Sequence, residues 1–234
     1  MTTALSRADT RSPNRRILAI AGPAILANSS APLVGLVDTW AIGHLPGAVH
    51  LASVGLGSVI FNYLFWAFGF LRMGTTGLVA QAWGKDDEAA LTGEVLRSCA
   101  LAVFFGMALL LAQEVILALS LKAMAPPSEV AGITAEYFRI RIWAAPASLL
   151  VYSVSGVLFG LAKTRSVLAL QLVLNLSNGV LNVSFVVGLG MGVAGVALGT
   201  LIAQWLAALA GLALVMRIVG YEPLRRGMGS AHTW

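Results

Sequence analysis

Residues 166–216, 51 in a row, contain no Asp, Glu, Lys or Arg. A soluble globule cannot bury such a run, because its surface is coated with charge, about 25% of residues in an ordinary soluble domain. Here only 11% of the 234 residues are charged and 58% are apolar, with a mean hydropathy of +0.85. A crossing of a ~30 Å hydrocarbon core needs about 20 residues at ~1.5 Å each, so this run holds two crossings. Residues 17–71 form a second run, broken by a single charge, Asp38. The chain therefore reads as an all-α integral membrane protein.

Six spans are predicted, at about 17–43, 51–71, 97–119, 137–160, 167–187 and 193–216. They make one unit over 16–220, between polar tails at 1–15 and 221–234. Basic residues flank cytoplasmic helix ends. Arg7, Arg11, Arg15, Arg16, Lys85, Arg97, Lys163, Arg165, Arg217, Arg225 and Arg226 fall on one side, against Lys122, Arg139 and Arg141 on the other. This bias predicts a multi-pass protein of the cytoplasmic (inner) membrane with both termini in the cytoplasm. The net charge of +5 is explained by topology, and no nucleic-acid partner is expected. The apolar stretch after Arg16 runs to about Ile42, too long for a secretory signal core. Residues 84–88 read as a cytoplasmic turn leading into a brief amphipathic segment. Gly156 with Gly160, Gly188 with Gly192, and Gly195 with Gly199 have the spacing of close helix packing.

Enzymatic chemistry finds little footing. The single cysteine, Cys99, excludes an intramolecular disulfide, and no grouping has metal-ligand spacing. No phosphate-binding loop appears. Ser153-Val154-Ser155-Gly156 has no base, since His44, His50 and His232 all lie outside the later spans. No cofactor is expected and the chain does not read as an enzyme.

Two constellations can carry function. Asp38 is the only charge in its 55-residue run. An ionised carboxylate near the bilayer centre costs ~2.5–3.5 kcal/mol on insertion scales, and burial favours its neutral form. Such a group can hold a proton or small cation; the alternative is an Asp that caps a helix at the outer interface. The second constellation is Gln171, Asn175, Asn178 and Asn182, spaced 4, 3 and 4 apart. At 100° per residue they share an arc of about 60° on the fifth span. Amides on one face line a cavity or bond to a neighbouring helix. Gln113 and Glu114 are expected at the outer interface. Arg139 and Arg141, with Glu129 and Glu136 nearby, are expected to form an external ion-pair cluster.

Gly35-Leu36-Val37-Asp38-Thr39 ahead of Ile42-Gly43-His44-Leu45 resembles the first helix of the multidrug and toxic compound extrusion (MATE) transporters. Residues 69–82, GFLRMGTTGLVAQA, resemble the end of helix 2 in that family's bacterial DNA-damage-inducible protein F branch. Residues 188–200, GLGMGVAGVALGT, resemble its hinge between helices 5 and 6. The resemblance runs from about Arg16 to Gly220 and implies one six-helix lobe, the amino-terminal half of a MATE-type fold. It implies an antiporter driven by H⁺ or Na⁺, moving small amphipathic or cationic organic compounds out across membrane lipid. It further implies that Asp38 belongs to the coupling-ion site, that Pro23 marks the helix-1 bend, and that Asn178, Asn182 and Thr200 surround the acid. Asn175 and Gln171 would line the cavity. The family's helix-5 pattern Asn-x-x-x-Asp is here Asn178-x-x-x-Asn182, so one expected carboxylate is an amide and coupling would fall on Asp38. Family members carry two lobes, so a second six-helix lobe is expected as partner, from another chain or a second copy. The alternative is a non-transporting remnant or an accessory six-helix subunit.

Overall fold

The computed structural model describes residues 47–220, together with 22, 25, 40, 42 and 43. Asp38, Pro23, most of the first predicted span and both tails lie outside the described residues. Residues 47–220 form eight α-helices: α1 (Ala48–Trp66), α2 (Gly69–Gly84), α3 (Glu88–Leu111), α4 (Gln113–Met124), α5 (Ser128–Arg141), α6 (Ala145–Gly160), α7 (Thr164–Val183) and α8 (Gly192–Val219). A 3-10 turn, Ile142–Ala144, joins α5 to α6, and a π turn, Ser184–Gly188, extends α7. Five segments among the described residues are long and apolar enough to cross a membrane: Ala48–Gly84, Glu88–Leu111, Ser128–Gly160, Thr164–Gly188 and Gly192–Val219.

The second and third spans differ from their predicted bounds. The helix expected to end near residue 71 continues past Arg72 to Gly84, with a short break at Ala67 and Phe68. The third helix starts at Glu88, so the expected amphipathic segment is the first turns of α3. Asp87 sets that start by accepting a hydrogen bond from the Ala90 N–H at 2.9 Å, and Glu88 complements the helix dipole. The helix pauses at Ala112 and resumes as α4. Ala125, in the left-handed region at φ 43°, and the two prolines after it end α4.

α6 is the hub, packed against α2, α3 and α8. In the most apolar window of its span 78% of residues are buried, against 28–33% in the other four spans. Every residue of α6 except Tyr152 and Phe159 is buried. Its sequence, APASLLVYSVSGVLFG, is apolar or small on all sides, as a helix surrounded by other helices requires. Gly156 and Gly160 admit α2. A Cβ on Gly156 would stand 2.7 Å from the Arg72 carbonyl oxygen, and one on Gly160 would stand 2.8 Å from Val79 Cβ. Gly106 of α3 meets the Pro146 backbone with the same lack of room.

Gly188 and Gly192 are not a packing pair. Neither has a neighbour within 4 Å of where a Cβ would lie. They bracket the reverse turn between α7 and α8, where Gly190 at φ 63° and Gly192 at φ 61° occupy the left-handed region that glycine tolerates without strain.

Because Gly160 touches backbone as well as side chain across the α2–α6 contact, Gly160→Leu forces the helices apart. Overpacking of this kind costs roughly 1–3 kcal/mol. Thermal melting in detergent should show a clear loss for Gly160→Leu and little change for Gly188→Ala, which faces open space.

Candidate functional site

α7 separates two kinds of surface around its axis. Val173, Leu176 and Val180 are 42–65% exposed and lie on the face opposite the amides. Ser177 and Ser184 need nothing from other helices, since each donates to a carbonyl one turn back, Val173 at 2.6 Å and Val180 at 2.7 Å. The amides point inward. Asn182 is fully buried, and Asn175 and Asn178 are 8% exposed.

The structure brings the predicted polar residues of α7 and α8 together. Asn178 Nδ2 donates to Thr200 Oγ1 at 3.0 Å, and Asn182 Nδ2 donates to Asn178 Oδ1 at 3.3 Å. Thr200 donates in turn to the Val196 carbonyl at 3.0 Å. Further along the stripe Gln171 Nε2 donates to Asn175 Oδ1 at 3.3 Å. Asp38 and Pro23 lie outside the described residues, so this geometry concerns the amide and hydroxyl half of the predicted site. Gly199 is what admits Asn182 to the α8 surface. A Cβ on Gly199 would collide with the Asn182 amide oxygen.

The outer ion pairing differs from the expected cluster. Arg139 makes a two-pronged bond with Glu114, Nε to Oε1 and Nη2 to Oε2, both 2.8 Å. Glu129 and Glu136 are not its partners in that bond. Arg141 turns away from this surface. Its guanidinium carbon stands 4.4 Å from the Phe61 ring centroid and 5.7 Å from that of Tyr137.

Arg141 and Arg72 line one cavity of about 280 Å³, with Ser148, Tyr152, Ser155, Gln171 and Gln204 among its polar walls. Sequence reasoning placed neither arginine there. Arg72 fell just past a span predicted to end at residue 71. Its signal was available: residues 73–84 are free of charge, so Arg72 interrupts an apolar run instead of closing one.

The described residues thus form a multi-pass, all-helical membrane bundle with a buried amide cluster between α7 and α8. Over residues 23–184 the chain matches the MatE family, and it belongs to that family. It is 38% identical over 208 residues to the DNA damage-inducible protein F of Escherichia coli K12, a match covering 89% of this chain and 45% of that protein. The chain thus spans about half the length of that curated relative. The crystal structure of a MATE mutant superposes with a TM-score of 0.80 at 22% identity, covering 88% of this chain and 46% of that one. An outward-facing multidrug resistance MATE family transporter of the MOP superfamily gives 0.78 at 22% identity, covering 89% and 45%. These likenesses bear out the expected fold, an all-α membrane bundle that forms one six-helix lobe of the MATE architecture, and the resemblance to the protein F branch.

Gly199→Val should expel the Asn182 side chain and break the α7–α8 contact at the amide cluster. Mutational costs at a site that combines overpacking with a lost buried hydrogen bond run to several kcal/mol. The variant should melt earlier in detergent than Gly195→Ala, whose Cβ meets neighbours no closer than 3.0 Å.

Proposed function

We propose that this chain is the amino-terminal lobe of a proton-coupled efflux antiporter for amphipathic or cationic organic compounds, with Asp38 as its coupling carboxylate. Transport rather than catalysis is the activity that MatE membership favours. The observation that carries the reading is the buried set Asn178–Thr200–Asn182, hydrogen-bonded between α7 and α8 at 3.0 and 3.3 Å. In hydrocarbon such a set is costly unless the amides satisfy one another or a polar guest, which is what an ion or proton site needs. Asp38 enters through the sequence, as the one charge in residues 17–71. The amide at Asn182 cannot titrate, so protons are taken up and released at Asp38. Pro23 supplies the bend through which protonation rearranges the first helix. Asn175 and Gln171 line the polar path beside the site. The lobe sits in the cytoplasmic membrane with Lys85 and Lys163 on the cytoplasmic side, and it works with a second six-helix lobe.

Efflux from cells or proteoliposomes under an imposed pH gradient tests the coupling role. Asp38→Asn should lower the proton-driven rate at least tenfold, and a wild-type rate in that variant removes Asp38 from the mechanism. Asn182→Asp restores a second carboxylate and should make efflux respond to a Na⁺ gradient to which the native chain is indifferent. A native chain driven by Na⁺ alone overturns the proton assignment.

The second reading is an accessory six-helix subunit that does not itself transport. It is favoured by the bonding of Asn178, Asn182 and Thr200 to one another, which can serve simply to join α7 to α8. Expression separates the two: an accessory lobe inserts and folds yet confers no efflux, with or without a second lobe present.

A further inference from the structure

The cavity holding Arg72 and Arg141 has a chemistry opposite to that of a cation site. Its walls come from six helices: Phe65 of α1, Arg72 of α2, Arg141 of α5, α6 from Ser148 to Ser155, Gln171 of α7 and Gln204 of α8. Among the described residues that line it there is no aspartate or glutamate. The acids that form ion pairs among the described residues are engaged elsewhere, Glu114 by Arg139 and Glu94 by Arg97.

Both arginines belong to the body of long membrane segments. Arg72 stands twelve residues before Gly84, the end of the Ala48–Gly84 segment, and Arg141 thirteen residues after Ser128, the start of the Ser128–Gly160 segment. At ~1.5 Å per residue each is nearly 20 Å from that end. Guanidinium groups within membrane-spanning segments are expensive and mark functional sites by default. The Phe61 ring, 4.4 Å from the Arg141 carbon, is a partner for the cation's charge but accepts none of its in-plane N–H bonds in the usual sense. Among the described residues, Arg141 Nε and Nη1 and the Ser148 hydroxyl are buried with no hydrogen-bond partner, as is one acceptor, Gln204 Oε1. Buried donors left unpaired cost free energy that a matching acceptor recovers.

We propose that this cavity is a binding site for an organic anion, a carboxylate or phosphate-type group carried on an apolar body. A guanidinium suits such a group because its charged N–H donors make charge-assisted hydrogen bonds to anionic oxygens. Ser148 adds a hydroxyl. Phe65, Val151 and Leu174 line the same cavity and receive the apolar part, and 280 Å³ holds a small molecule of this kind. The site stands apart from the antiport reading: it requires no coupling role for Asp38 and no cationic substrate. Two sources offer the same chemistry, a water-soluble amphipathic carboxylate and the headgroup of an anionic lipid.

The test is direct binding to the purified full chain, with 1-naphthoate as probe and its neutral methyl ester and 1-naphthylmethylammonium as controls of matching shape. Calorimetry in lipid-free detergent should show the carboxylate bound at least tenfold more tightly than either control. Arg72→Gln and Arg141→Gln should each weaken it about tenfold, the loss expected for one charge-assisted contact of ~1.4 kcal/mol. Arg141→Lys retains the charge and should fall between, which keeps the test valid if Arg141→Gln melts early. Nanodiscs of phosphatidylcholine with and without phosphatidylglycerol then separate the sources. Displacement of the probe by phosphatidylglycerol, lost in Arg72→Gln, assigns a lipid headgroup, and undiminished probe binding assigns a soluble anion. Equal binding of the anion and its neutral ester, or affinity unchanged in both arginine variants, overturns the proposal. Either result leaves proton-driven efflux through Asp38 to stand or fall by its own measurement.

Discussion

Hydrocarbon offers no hydrogen-bond partner, so every polar group that enters the bilayer has to be satisfied by the protein. Hydroxyls solve this locally. Ser53, Thr76, Ser177, Ser184 and Thr200 each donate to the carbonyl four residues back, at 2.6 to 3.0 Å, and so are tolerated on any face of a helix. Amides cannot be satisfied that way, because each has two donors and a carbonyl acceptor. Asn178 and Asn182 therefore require the α8 surface, with Thr200 as a partner and the missing side chain of Gly199 as room. Guanidinium groups demand most. Arg139 obtains a carboxylate from α4, whereas Arg72 and Arg141 share a cavity with no carboxylate among the described residues that line it.

The packing that builds the lobe also builds that cavity. Gly156 lets the α2 backbone lie against α6 at the Arg72 carbonyl itself. Tyr152 and Ser155 lie within one turn of Gly156 on α6 and form part of the cavity wall. The π turn and the glycine-rich reversal after it return α8 along α7, which brings Thr200 opposite Asn178. A lobe made of single uninterrupted helices would have the same apolar composition but neither of these polar interiors.

The amide stripe was legible because its period is that of a helix and its background is apolar: spacings of 4, 3 and 4 leave little choice of face. The charge-free runs made the membrane class equally plain. What failed were inferences from neighbours in sequence. Arg139 stands three residues after Glu136, one turn of helix, yet binds Glu114 from 25 residues earlier, a partner that only the return of the chain supplies. Arg141 is five residues from Glu136, about 140° around the helix, and so faces another side altogether. Reading Arg72 as the end of a span assumed that a charge marks the membrane surface, whereas α2 continues past it to Gly84. Likewise the Gly188–Gly192 spacing copies that of Gly156–Gly160 but spans a turn, and a packing motif has meaning only within one helix.

Gln171 belongs to both polar interiors. Its Nε2 donates to Asn175 at 3.3 Å, at the lower end of the amide stripe, while its side chain lines the arginine cavity. One amide cannot serve a guest in the cavity and Asn175 with the same donor hydrogen, but it has two hydrogens and a carbonyl oxygen to distribute. A carboxylate in the cavity offers a stronger acceptor than the Asn175 oxygen, and any shift of Gln171 toward it changes the first link of a stripe that runs through Asn178 to Asn182. The two polar interiors are thus adjacent along a single helix face, with Gln171 common to both.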